Sequence, residues 1–211
     1  MTLESRIKMG TRSKDKIRAV LFDWGDVLMF YDGLYRECAR HFDCDEASFK
    51  AAFKEYEPLF EEGMDEMQIW SNVAKKLGKP APAEPIWRNA FESVYNENTG
   101  LFSLISKLKT EGYKVGLVTN TETALMNFIK EKESYEIFDM IAYSCEPEIM
   151  SRKPKTKIFD IACKRLGIPP NQAVFIDNNS DNVAAFQIIG GKGIIYNGQS
   201  PEAIHQTIRL A

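Results

Sequence analysis

The chain has 211 residues, 44% of them hydrophobic, with 27 basic and 30 acidic side chains and a formal net charge of −3. That length suits one sizeable α/β domain or a domain with a smaller insert, and the charge offers no basic surface for nucleic acid. No apolar run approaches the roughly 20 residues of a membrane-spanning helix. Four cysteines without a CxxC pair (Cys38, Cys44, Cys145 and Cys163) point to neither a disulfide framework nor a zinc site, which leads us to expect a reducing, cytoplasmic setting.

Residues 1–15 lack the apolar core of a signal segment and are expected to form a flexible tail. The first apolar run, 17–22, ends at Asp23 in "VLFDWGDVLM". Further short runs stand at 114–118 ("KVGLV"), 173–176 ("AVFI") and 193–196 ("GIIY"), with a weaker one at 140–143. Each is rich in Val, Ile or Phe and bounded by polar residues, as buried parallel strands are. Helical patterns separate them. "LFSLISKLKTEG" precedes the second run and "SDNVAAFQIIGG" the last. "TKIFDIACKRLG" sets Ile158, Phe159, Ala162 and Leu166 on one face and ends at Gly167, a suitable C-terminal cap. The alternation predicts an α/β fold, a parallel sheet with helices on both faces.

Residues 32–98 break the alternation. They contain no convincing strand and three helical patterns: "EASFKAAFKEYEPLF", interrupted at Pro58; "DEMQIWSNVAKKLG", opening with Asp65 and Gln68 at capping-box spacing and closing at Gly78; and "EPIWRNAFESVY". The expected organisation is a core from 16–31 and 99–211 with an all-helical cap inserted at 32–98.

In open parallel sheets, ligands gather beyond the carboxyl ends of the strands. There stand Asp23; Thr119 and Asn120, in "LVTN"; Lys153, in "SRKP"; and Asp177, in "FIDNNSDN". Each alone is an ordinary turn former, cap or surface charge. Together, acid, hydroxyl, lysine and acid in that order suit phosphoryl chemistry. Two carboxylates repel unless a hard cation such as Mg²⁺ relieves them. The donors Thr119, Asn120 and Lys153 suit anionic oxygens. Asp23 is placed as a nucleophile.

The segments "VLFDWGDVLM", "VGLVTN", "SRKPKTKIFDIACKRLGIPP" and "AVFIDNNSDNVAAF" resemble the haloacid dehalogenase superfamily, most of whose members are phosphatases, over nearly the whole chain from Lys16. Within it, the glucose-1-phosphatase-like small-metabolite phosphatases are the most similar branch. The resemblance implies a Rossmann-like parallel sheet with an inserted helical cap, and Mg²⁺-dependent hydrolysis of a small phosphorylated metabolite through an aspartyl-phosphate intermediate. It makes Asp23 the nucleophile and a metal ligand. Thr119 would bind phosphate with Asn120 beside it, and Lys153 would neutralise nucleophile and phosphoryl group. Asp177, the Gly25 carbonyl and Asn178 would complete the metal set.

Two positions depart from the family pattern. Gly25 stands where the usual second Asp protonates the leaving oxygen, and Asn178 stands where a second acid is common. Asp26 and Asp181 are the auxiliary candidates. An extended backbone would turn Asp26 away from the site, leaving it to brace the loop by local hydrogen bonds. Two alternatives compete with a phosphatase: a catalytically degenerate binding protein, and a 2-haloacid dehalogenase, for which Arg36 is the nearest arginine after the first motif. Neither a nucleic-acid nor a membrane partner is expected. Substrate and oligomeric state are not legible.

Overall fold

The computed structural model describes residues 16–211; the expected tail at 1–15 lies outside them. Five strands form a parallel sheet in the order β5-β4-β1-β6-β7. They are β1 (Ala19–Phe22), β4 (Lys114–Thr119), β5 (Met140–Tyr143), β6 (Ala173–Asp177) and β7 (Lys192–Ile195). All five occupy the apolar runs of the sequence, the weak fifth candidate included. The registers Phe22↔Leu117 and Phe22↔Ile176 set β1 between β4 and β6. The residues ending these three strands therefore share one edge of the sheet.

Side chains alternate between the sheet faces, as the pleat requires. Val20 and Phe22 join one hydrophobic cluster, and Ala19 and Leu21 the other. The smaller cluster is closed by α8 (Lys157–Leu166) and α9 (Ser180–Ile188), around Phe159, Phe175 and Phe186. The larger is covered by α6 (Thr99–Thr110), α7 (Thr123–Glu131) and α10 (Pro201–Leu210). Gly167 ends α8 in the left-handed conformation, φ 65°, as its sequence position implies.

Between β1 and α6 the chain builds α1 (Leu34–Arg40), α2 (Glu46–Phe53), α3 (Glu57–Glu61), α4 (Glu66–Leu77) and α5 (Trp87–Val94). A two-residue antiparallel ribbon, β2 (Met29–Phe30) with β3 (Asn96–Glu97), brings the two ends of this segment together. Sequence reading found no strand there, because two residues carry no period. It also found no helix at α1, α7 or α10. Pro58 does not interrupt a helix: the break falls at Lys54–Tyr56, and Pro58 lies in the first turn of α3, where its missing N–H costs nothing. Asp65 caps α4 by accepting from the Met67 and Gln68 amides, at 3.0 and 3.1 Å. The apolar faces of these helices are continuous with the larger cluster. Trp24, next to the end of β1, packs on Phe91 of α5 at 5.2 Å and on Phe128 of α7 at 6.5 Å.

Candidate active site

Beyond the strand ends, Lys153 reaches back under the sheet edge from the loop before α8. Its ammonium donates to Asp23 Oδ1 at 2.5 Å and to Asp177 Oδ2 at 2.8 Å. It lies 5.2 Å from the centre of the Phe175 ring, and its side chain is 1% exposed. Three residues 130 and 24 positions apart in the chain thus form one buried ionic group. Burial opposes the ammonium, but the two carboxylates outweigh that and hold Lys153 above its ordinary pKa.

The two acids differ in surroundings. Asp177 is fully buried and also accepts from the Asn179 amide at 2.7 Å and from Asn182 Nδ2 at 3.0 Å. The Asp23 side chain keeps 12% exposure. Burial pushes the Asp23 carboxyl up to about 7 and Asp177 adds to it, against the pull of Lys153 and the Trp24 amide. Asp177 is locked in place, and Asp23 is the open member of the pair.

Thr119 is the last residue of β4, buried, with its hydroxyl 3.2 Å from the Asn120 carbonyl. The Asn120 side chain is engaged at both ends with the Lys153 backbone: Nδ2 donates to its carbonyl at 3.0 Å, and Oδ1 accepts from its amide at 2.7 Å. Asn120 therefore fixes the lysine loop, which differs from the phosphate contact expected of its side chain. Asn178 and Asp181 are exposed, and neither side chain hydrogen-bonds to Asp23, Lys153 or Asp177. The Asp181 amide is capped by Asn179.

Asp26 departs from the extended backbone expected of it. It adopts φ 56°, and its amide donates to the Met29 carbonyl at 2.8 Å, closing a tight turn. The backbone braces the loop; the Asp26 carboxyl is exposed and makes no hydrogen bond among the described residues. Partial desolvation in the turn and the neighbouring Asp32 hold that carboxyl above its ordinary pKa. Arg36 is exposed on α1, its guanidinium folded toward Gly33.

A cavity of about 80 Å³ borders the residues that follow Asp23 and Thr119, namely Trp24 and Gly25, Asn120 and Thr121. Its far wall comes from the helical segment and includes Tyr31, Tyr35 and Trp87. Glu57, Glu61 and Glu122 line it, and among the described residues no Lys, Arg or His does. Glu122 is buried, accepts from Trp87 Nε1, and is pushed up to about 8, by burial above all. Glu61 is paired with Arg152 at 2.6 Å and is raised to about 7 by burial against that pairing. Ser144 ties this wall to the sheet, donating to the Glu61 carbonyl at 2.5 Å and accepting from the Thr121 amide at 2.9 Å.

Sequence reasoning missed Asn182, Glu61, Glu122, Ser144 and Tyr31. Asn182 had a usable signal, since it lies one helical turn into α9 behind a strand-terminal acid. The others come from segments whose approach to the strand ends nothing local announces.

A central parallel sheet, helices on both faces and an acid–lysine–acid group at the strand ends define a Rossmann-like hydrolase. The haloacid dehalogenase-like hydrolase family matches residues 17–190, and the chain belongs to it. A HAD family enzyme of Bacteroides thetaiotaomicron, solved as a magnesium complex, superposes with a TM-score of 0.70 at 22% identity, covering 90% of this chain and 98% of that one. Phosphoglycolate phosphatase of Shigella boydii is 26% identical over 152 residues, 64% of this chain and 60% of the relative. (S)-2-haloacid dehalogenase 4A of Burkholderia cepacia is 28% identical over 101 residues, 46% of this chain and 43% of the relative. The chain thus spans only 60% and 43% of the length of these last two relatives.

Proposed function

We propose that this hydrolase is a Mg²⁺-dependent phosphatase of a small phosphorylated metabolite, with Asp23 as nucleophile. The carrying observation is the open Asp23 carboxylate sharing the Lys153 ammonium with the locked Asp177. Attack by Asp23 on phosphorus forms an aspartyl phosphate and releases the leaving group; water then hydrolyses the intermediate. Lys153 orients the nucleophile and balances the phosphoryl charge, and the Thr119 hydroxyl, at the end of the neighbouring strand, serves as a further donor. Asn120 holds the lysine loop.

The donor set fits Mg²⁺. Asp23, Asp177 and the Gly25 carbonyl are hard oxygen donors, and a single ammonium leaves the acid pair one negative charge in excess. These residues would hold the ion, with Asn178 beside them, and the ion would supply charge neutralisation to the phosphoryl oxygens. The helical segment serves as the cap that closes over the substrate.

The cavity wall bears on the alternatives. A 2-haloacid carries a carboxylate, and the wall has three glutamates and no cation to pair with it; Arg36 lies outside it. The same feature favours phosphate esters whose leaving group is uncharged or carries an amine. No helix among the described residues is long and apolar enough to cross a membrane, and the partner we propose is the metabolite. A phosphometabolite panel with and without EDTA tests the reading: turnover lost on chelation supports it. Turnover that survives chelation overturns the Mg²⁺ requirement, and no turnover of any ester favours a dehalogenase or a binding protein, which halide release from a 2-haloacid tells apart.

A further inference from the structure

We infer that the Tyr31 hydroxyl is the group that hydrogen-bonds to, and gives its proton to, the leaving-group oxygen, in the place left without an acid at Gly25. This rests on the phosphatase reading above.

Tyr31 covers Gly25. A Cβ built there would meet Tyr31 Cε1 at 3.3 Å and the Tyr31 hydroxyl oxygen at 3.6 Å. The phenol therefore occupies the space into which a side chain at position 25 would grow. Its backbone is pinned, the Tyr31 carbonyl accepting from Leu34 at 3.0 Å, and its ring packs 6.4 Å from Phe91. Tyr31 and Gly25 border the same cavity.

The hydroxyl is the second observation. Tyrosine hydroxyls in packed surroundings ordinarily find a partner, and those nearby do. Tyr35 donates to Glu57 at 3.0 Å, Tyr95 donates to Glu97 at 2.6 Å, and Tyr135 accepts from Trp24 Nε1 at 2.5 Å. Tyr31 has no hydrogen-bond partner among the described residues. The Tyr31 hydroxyl is therefore open to the cavity solvent rather than sealed, so a ligand atom can reach it, and with a phosphoryl group on Asp23 we place the leaving oxygen on the cavity side, where Gly25 and Tyr31 meet. The cavity, about 80 Å³, has room for a small leaving group.

The chemistry balances. As the Asp23 oxygen bonds to phosphorus, the bond from phosphorus to the leaving oxygen breaks, and that oxygen keeps the electron pair and takes the phenol proton. In the second half, water attacks the aspartyl phosphate and returns a proton to the Tyr31 oxygen, giving inorganic phosphate and free Asp23.

The test measures kcat/KM for phosphate esters running from aryl to alkyl leaving groups, on the full chain with Mg²⁺, for wild type and Tyr31→Phe. The ring packing survives this change. We expect Tyr31→Phe to lose on the order of 10²-fold or more on alkyl esters and less than about 10-fold on 4-nitrophenyl phosphate, steepening the dependence on leaving-group pKa. A parallel drop across the series, or no change, overturns the role. A wild type that cleaves no ester overturns the phosphatase reading and this inference with it.

Discussion

The floor of the site and its wall both bury carboxylates, and they compensate them differently. On the floor, Asp23 and Asp177 share one ammonium with good geometry, and Asp177 has two further donors. On the wall, Glu122 has an indole N–H and, among the described residues, no cation within hydrogen-bond reach, and burial keeps it protonated up to about pH 8. A buried carboxylate stays charged only where a cation is buried with it. The floor is thus a pre-arranged ionic group suited to phosphoryl transfer, while the wall holds Glu61 paired with Arg152 and Glu122, which burial keeps neutral.

The largest effect expected is at the open floor acid. Asp23→Asn lowers kcat by on the order of 10⁴-fold or more while the melting temperature moves little. Residual turnover above one-tenth of wild type would remove Asp23 as nucleophile and erase the functional contrast between floor and wall.

Lys153→Met comes next. It leaves two buried acids facing one another, and the expected loss is about 3–5 kcal/mol in denaturant unfolding, as when one partner of a buried pair is removed. Adding Asp177→Asn should return part of it. A neutral Lys153→Met would mean that the floor acids are held by their other donors alone.

Trp70→Ala probes whether the wall is mechanically separate from the floor. Trp70 is fully buried among Phe42, Phe49, Phe53 and Phe60. A loss of about 3–5 kcal/mol is expected. Because Trp24, Phe91 and Phe128 join this layer to the sheet face, we expect one calorimetric transition moved down as a whole. A separate early transition would show that the helical segment unfolds by itself.

The smallest effect sharpens the wall. Glu122 has its pKa raised from 4.5 to about 8 by burial. The folded state therefore binds its proton more tightly than the unfolded chain does. That stabilisation is full below about pH 4.5 and is lost as pH rises through about 8. Glu122→Gln keeps the Trp87 contact and should flatten stability against pH across this window. An unchanged profile would place an ionised Glu122 in the wall.

Much of this molecule is legible in its sequence. The strand runs, the helix stops at Gly78 and Gly167, the cap Asp65 and the acids Asp23 and Asp177 are local signals, and they stand where local physics puts them. Between β1 and α6 the patterns of α2, α4 and α5 are legible, while α1 and the two-residue ribbon β2–β3 are not. Less legible was Asn120, whose place beside Thr119 suggests phosphate while its amide is spent on the backbone of Lys153, 33 residues away. Asp26 is a related case: an extended backbone would turn it away from the site, but the chain takes a turn there at φ 56°.

By itself, then, the sequence determined the alternation, the residues that close each strand and the missing side chain at Gly25, because strands, caps and turns depend on neighbours a few positions apart. Only the tertiary structure decided which acid is open and which is locked, that Glu61 meets Arg152 and Glu122 meets Trp87, and that Tyr31 lies over Gly25 with an unpaired hydroxyl. Those outcomes turn on burial and on contacts between distant segments. Burial sets whether a carboxyl is charged, and no window of sequence contains it.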